Sequence, residues 1–266
     1  SGTENVAVGL NAMCKNTTAD GNVAIGNYAM KDATTGNNNV AVGYCSLKDT
    51  TTGCQNIAMG RNALEDNSTG DLNVALGYNA LKTNTTADNN TAVGANALLA
   101  NTTGADNTSV GLSSLKANTT GASNIAVGKT ALFDNTTGIR NVAVGHGSLA
   151  NNTTSSNSQG IGYQELQAQT TGEQNTAIGS ASMYTSTTGN NNVAVGISTL
   201  YNNTEGHGNV AIGCVAMGAN TTGDYNVGIG YRALDANTTA DSNVACLLYT
   251  SDAADDSLRV DLGGRR

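Results

Sequence analysis

Carboxylates, imidazoles, thiols and stacked hydroxyls are the groups in this chain that could do chemistry, and their spacing decides which could act together. Asp32, Asp49 and Asp66 stand seventeen residues apart. If each seventeen residues form one coil of a stack, these carboxylates line up about 4.8 Å apart and could attract a divalent cation. Lys31 and Lys48 sit beside them, so a charge-balanced, solvated turn accounts for the same residues. His146 and His207 fall at different positions of the seventeen-residue frame and several coils apart, which bars them from sharing a metal or serving one nucleophile. No serine lies in a Gly-x-Ser-x-Gly elbow, and there is no phosphate-cradling Gly-rich loop. The residues nominate no catalytic group and no cofactor, and the chain reads as a non-enzyme.

The remaining reactive or sticky side chains follow the same frame. Cys14, Cys45, Cys54, Cys214 and Cys246 occupy five different positions of it, so they build neither a disulfide framework nor a metal rung; only a Cys45 to Cys54 bridge across one coil is conceivable. Tyr44, Tyr78, Tyr163 and Tyr231 share one position, and a tyrosine strip there could stack on sugars, although four Tyr in fourteen copies read first as ordinary surface. Asn-Thr-Thr, as at Asn101, Asn118 and Asn135, satisfies the N-glycosylation pattern, and turn chemistry explains it equally well. Stacked Thr ranks suggest a second use, ordering water to bind ice or presenting hydroxyls to carbohydrate. Against it, two adjacent Thr cannot both point outward from a strand.

All of these positions hang on one recurring stretch, seen in Asn124 to Arg140 as NIAVGKTALFDNTTGIR. An Asn recurs every seventeen residues from Asn5 to Asn243, with only Ser158 out of pattern, and a glycine stands four places after it from Gly9 to Gly230 without exception. That makes fourteen copies without insertions, the signature of a solenoid whose units bury their apolar faces only against neighbours. With one Phe, no Trp and no Pro, the chain is too poor in large apolar side chains for a broad three-dimensional core. A formal charge of −8 with twelve scattered basic residues argues against nucleic acid and anionic membranes. No apolar run is long enough to span a bilayer, and no membrane insertion of this segment is expected.

Within a copy, Asn-Val-Ala-Val-Gly alternates a β-branched residue with a small one, the period of a strand whose Val142 and Val144 face opposite to Ala143. Glycine next supplies a corner. Then comes Ala-Leu, with Leu or Met as the second wall of the core, in a piece that could form a short strand or a single helical turn at x-A-L-x-x-N. Asn-Thr-Thr-Gly closes the coil. The expected fold is therefore an all-β solenoid, a parallel β-roll or β-helix of about fourteen coils and roughly 67 Å of axis. The Val face is expected inward and the Ala face outward. On that reading Ala58, Ala75, Ala92, Ala126 and Ala143 form a strip of small residues that another copy could approach closely, lining the axis of a homotrimer; a coil too narrow for larger side chains is the competing explanation. The copy at Ser155 to Ala168, where Gln159, Gly160 and Glu165 replace Val, Ala and Ala, is expected to be the weakest joint.

The block N-V-A-V-G-x-x-A, as in Asn141 to Ser148, resembles the head repeat of trimeric autotransporter adhesins of the YadA type, whose unit is three residues shorter. Gly77 to Asn90, GYNALKTNTTADNN, resembles the arrays of phage tail fibres and tail-fibre-like bacterial surface proteins in length as well as motif. The resemblance runs from Asn5 to about Ala245. It implies a parallel β-roll, a homotrimer, and an extracellular, cell-surface or virion-borne fibre segment that attaches to a host glycan or protein receptor. The repeat is expected to fill residues 1–245 as a single unit. At Cys246 the period stops, and CLLYTSDAADDSLRVDLGGRR (246–266) resembles the in-frame translation of a transposase-type sequencing adapter. Since Ser1 and Gly2 occupy mid-repeat positions, a fragment cut at both ends is expected.

Overall fold

A computed structural model describes residues 2–246. Fifteen strands, β1 (Val6–Val8) through β15 (Val244–Cys246), recur every seventeen residues and pair in chain order into one parallel sheet. Strand β10 (Gln159–Tyr163), β11 (Thr176–Ser180) and β12 (Val193–Ile197) are five residues long, and the others three. Register is the repeat itself: Val40 pairs with Ile57, Ala41 with Ala58 and Val42 with Met59. The chain is thus the all-β parallel solenoid that the period implies. Cys246 pairs with Ile229 and closes β15, so the ladder runs one residue past the boundary set at 245. Residues 247–266, where the adapter-like segment falls, lie outside the described residues.

Two expectations about the coil are corrected. The wall opposite the strand is neither a second strand nor a helical turn but a run of consecutive turns, as over Asn27–Asp32. Each coil there places two residues at left-handed φ, such as Asn62 at 56° and Leu64 at 52°, which a right-handed helical turn does not allow. Hydrogen bonding still goes from coil to coil: Leu64 N–H donates to the Ala80 carbonyl at 2.9 Å and Asp66 N–H to the Lys82 carbonyl at 2.9 Å. Composition favours a helix locally, but the need to pair every backbone group with the adjacent coil wins.

The second correction concerns which strand face is inside. Ala58, Ala75, Ala92, Ala126 and Ala143 are fully buried in the core, while their neighbours point out, with Ile57 39% and Met59 45% exposed. V-A-V alternation is compatible with either face inward, and hydrophobicity alone favours Val. Width decides otherwise. The fully buried Leu and Met rank of the opposite wall, Met30 and Leu47 through Met217, fills the interior and leaves room only for a methyl group across from it. Gly228 shows the limit: a Cβ there would approach Met217 Cγ to 2.9 Å. The strip of alanines is therefore small because the coil is narrow, and these residues cannot line a trimer axis.

Polar ranks complete the interior. Asn56 N–H donates to Asn39 Oδ1 at 2.9 Å, and Asn56 Nδ2 donates to Asn39 Oδ1 and to the Gly70 carbonyl at 3.1 and 2.8 Å. A second buried amide rank stacks beside it, with Asn84 Nδ2 donating to Asn67 Oδ1 at 2.8 Å and to the Ala87 carbonyl at 2.9 Å. Each amide thus satisfies its own coil and its neighbour, which is what burial of a polar group demands. The strand glycines hold φ between 125° and 145°, a region open essentially to glycine alone, and a Cβ on Gly43 would collide with the Gly60 carbonyl of the next coil. That is why this position tolerates no other residue.

Candidate functional site

Since the interior consists of Ala, Leu and amide ranks, anything the rod does with other molecules falls to its outer ranks. The carboxylate ladder is one of them. Lys15 Nζ lies 2.8 Å from Asp32 Oδ1, Lys48 Nζ 3.1 Å from Asp49 Oδ1, and Lys48 and Lys82 flank Glu65 at 3.8 and 3.5 Å. Asp66 is pushed up by burial and then by the adjacent Glu65 carboxylate. Lysines interleave the acids as a charge-balanced turn requires, and among the described residues no three acids, histidines or cysteines gather as a metal would need. These half-exposed pairs contribute little to stability.

The tyrosine strip does not form. Tyr44, Tyr78, Tyr163 and Tyr231 are all exposed, but they sit in separate coils with other residues between them. Two of them find different neighbours: Tyr44 meets Tyr28 edge-on at 6.0 Å with Arg61 over its ring at 5.5 Å, and Tyr163 stacks on His146 at 5.5 Å. His207 has a structural task, its Nδ1 accepting the Asn190 N–H at 3.0 Å. Cys45 and Cys54 are both free thiols, and burial pushes the Cys45 thiol up, away from reactivity.

Threonine ranks divide their work. The first Thr of each Asn-Thr-Thr gives its hydroxyl to the same position of the next coil, as Thr85 Oγ1 does to the Thr102 carbonyl at 3.1 Å and Thr102 to Thr119 at 3.0 Å. The second Thr, at Thr86, Thr103, Thr120, Thr137, Thr154, Thr171 and Thr188, is exposed. One outward rank remains where the ice-binding reading asks for two.

One carboxyl has a strongly shifted proton affinity. Glu165 is fully buried, with Oε2 accepting the Ser182 N–H at 2.9 Å and Oε1 without a partner, and burial pushes it up to about 8. It points into the coil interior beside Gly160, where no ligand has access, so its role is structural.

Sequence reading passed over a second aromatic rank, the position just after the core Leu or Met. Tyr184 and Tyr201 stack there with ring centroids 5.3 Å apart and planes 6° apart, and Lys116 Nζ lies 5.2 Å above the Phe133 ring. Their spacing of seventeen was the available signal. An extended outer feature is the sheet face itself, where one outward rank is apolar from Val8 to Ile229 and the other, from Val6 to Val244, is interrupted by Thr91, Thr108, Gln159 and Thr176. Among the described residues no helix is long and apolar enough to cross a membrane. Comparison with protein-family models, with curated proteins and with solved structures gives no match.

Proposed function

We propose that this chain is a structural and adhesive segment of a fibre, either a phage tail fibre or a bacterial surface adhesin, carried outside the cell or on the virion and attaching it to a host glycan or protein. The observation that supports this best is the apolar outer face of the sheet. Val8, Ile57, Met59, Ile125, Ile178 and Ile212 are between 38% and 56% exposed on one side of fifteen strands in register. A continuous apolar surface of this kind marks an interaction site. A partner that matches it along the whole rod must repeat at the spacing of the rod, and another copy of the same chain does so. Three copies, sheet faces inward, leave the turn walls and the Thr ranks outward for the receptor, a trimer being what the resemblance to adhesin heads implies.

Sedimentation equilibrium tests this. The expected result is a trimer that dissociates when Ile125→Lys and Val127→Lys are introduced together, because both side chains lie on the outer face and fold alone does not require them. Ala143→Tyr, by contrast, overfills the coil and is expected to unfold the surrounding coils, a loss of about 3 kcal/mol or more. A wild-type monomer at every concentration overturns the assembly. Thermal hysteresis from the single Thr rank would favour the ice-binding alternative instead.

A further inference from the structure

The second aromatic rank contains a gap. Tyr184, Tyr201, Gly218 and Asp235 occupy the same position of four successive coils. One face of the Tyr201 ring is covered by the parallel ring of Tyr184. Its other face is turned to the coil where the rank holds Gly218, which has no side chain to cover it. Beyond the gap stands the ion pair of Arg232 Nε with Asp235 Oδ2 at 2.5 Å. Val215 and Ala219 line the floor with Gly218, Ser198 and Asn202 the sides, and together they bound a cleft of about 430 Å³. At another place in the rank a neighbouring coil does supply a cover, Lys116 lying over the Phe133 ring.

We propose that this cleft binds one neutral pyranose unit of a glycan, its C–H face on Tyr201 and its hydroxyls on Asp235, Arg232 and Asn202. Two coil spacings, about 9.6 Å, separate the ranks of Tyr201 and Asp235, which leaves room for one intervening layer the thickness of a ring. An aromatic platform suits the apolar face of a sugar. Sugar hydroxyls each donate and accept, and the far wall offers both kinds of partner: carboxylate acceptors on Asp235, guanidinium donors on Arg232 and the Asn202 amide oxygen, whose nitrogen is engaged with the Gly218 carbonyl at 3.0 Å. Charge selects a neutral ligand. Arg232 already neutralises Asp235, so a cation gains no free carboxylate, and an anion on Arg232 would have to displace Asp235.

This site deepens the attachment reading by naming a ligand class, and it rests on that reading for its biological use. Its test is a saturation-transfer NMR and calorimetric screen of the whole chain with methyl glycosides of glucose, galactose, mannose and N-acetylglucosamine. At least one is expected to bind, and Gly218→Tyr is expected to lower its affinity at least about tenfold by completing the stack on Tyr201. Gly218 has no left-handed φ, and an added Cβ meets the Val215 side chain at 3.0 Å and its carbonyl at 3.3 Å, so the variant asks for a small local shift that its thermal melt registers. Tyr201→Ala and Asp235→Asn are each expected to weaken binding, with thermal melts verifying the fold. Absence of binding by all four glycosides, or binding unchanged in Gly218→Tyr, overturns the site. Glycoside binding by a chain that sediments as a monomer upholds the cleft and overturns the trimeric fibre; a trimer that binds none of them overturns the cleft alone.

Discussion

The coils from Asn56 to Asn141 and the coil from Ser155 to Gln169 build the same cross-section from different residues. In the regular coils an Asn rank, an Ala on the strand and an Asn at the turn repeat, with Ser109 the one departure on the strand, its hydroxyl donating to the Ser114 carbonyl at 2.9 Å. In the other coil Ser158, Gly160, Glu165 and Gln169 stand at four interior positions. The substitutions compensate in pairs. Gln169 is one methylene longer than the Asn it replaces and reaches into the space that Ser158 vacates: its Nε2 donates to Ser155 Oγ and Ser158 Oγ at 2.6 and 3.0 Å, and its Oε1 accepts from Asn175 Nδ2 at 3.0 Å. Glu165, larger than Ala, faces Gly160, smaller than Ala, and an added Cβ on Gly160 would come 3.3 Å from Glu165 Cβ. The coil thus conserves interior volume and amide pairing rather than residue identity.

Glu165 should separate the two regions most strongly. Its folded-state value of about 8 lies above the ordinary 4.5, so the folded state holds the proton more tightly. Stability from this group is full below pH about 4.5 and is lost as pH rises toward and past 8. The expected loss is on the order of a few kcal/mol, read as a melting temperature that falls between pH 5 and 9. Glu165→Ala should flatten that dependence, whereas Asp49→Asn, on a solvated turn, should leave it in place. A flat wild-type profile would mean that Glu165 reaches solvent or a cation.

The amide exchange predicts a smaller effect with a rescue. Gln169→Asn alone withdraws the acceptor from Asn175 and the donor from Ser158, and should cost about 1 to 3 kcal/mol in denaturant unfolding. Adding Ser158→Asn restores both ranks of the regular coils and should recover most of the loss. Additive penalties in the double variant would show that the two positions do not share one amide.

Smallest of the expected effects, Thr130→Asn tests the regular region. Thr130 holds φ 55°, a left-handed conformation awkward for a β-branched residue, at the position where Asn62, Asn79 and Asn96 stand. The substitution should stabilise by up to about 1 kcal/mol in the same denaturant assay, since Asn enters this region readily.

Period, parallel pairing and the Leu wall were legible because they depend only on which residue types recur, as the register Val40 to Ile57 shows. Inside and outside were not. Val142, Ala143 and Val144 alternate identically whichever face is buried, and the deciding quantity, the width left by Leu132 and Leu149, exists only once the coil is closed. The turn wall was hidden for a related reason. Leu64 has no local preference for left-handed φ, and only its hydrogen bond to the next coil makes that conformation worthwhile. Spacing puts Asp32, Asp49 and Asp66 at one position of the coil, but the lysines around them could be weighed only when Lys15 was found against Asp32. Tyr201 drew no notice because its use depends on a residue that is absent, the side chain at Gly218.

Each Asn of the first rank from Asn22 to Asn141 donates its backbone N–H to the Oδ1 of the Asn in the earlier coil and offers its own Oδ1 to the later one. Any regular coil therefore meets its neighbours through the same set of atoms as any other. Removing or inserting seventeen residues between two regular coils leaves each junction chemically unaltered and changes the reach of the rod by about 4.8 Å. Length becomes a quantity that can be adjusted in whole steps, independently of the fold, while a feature such as the Gly218 gap travels intact with the few coils that form it.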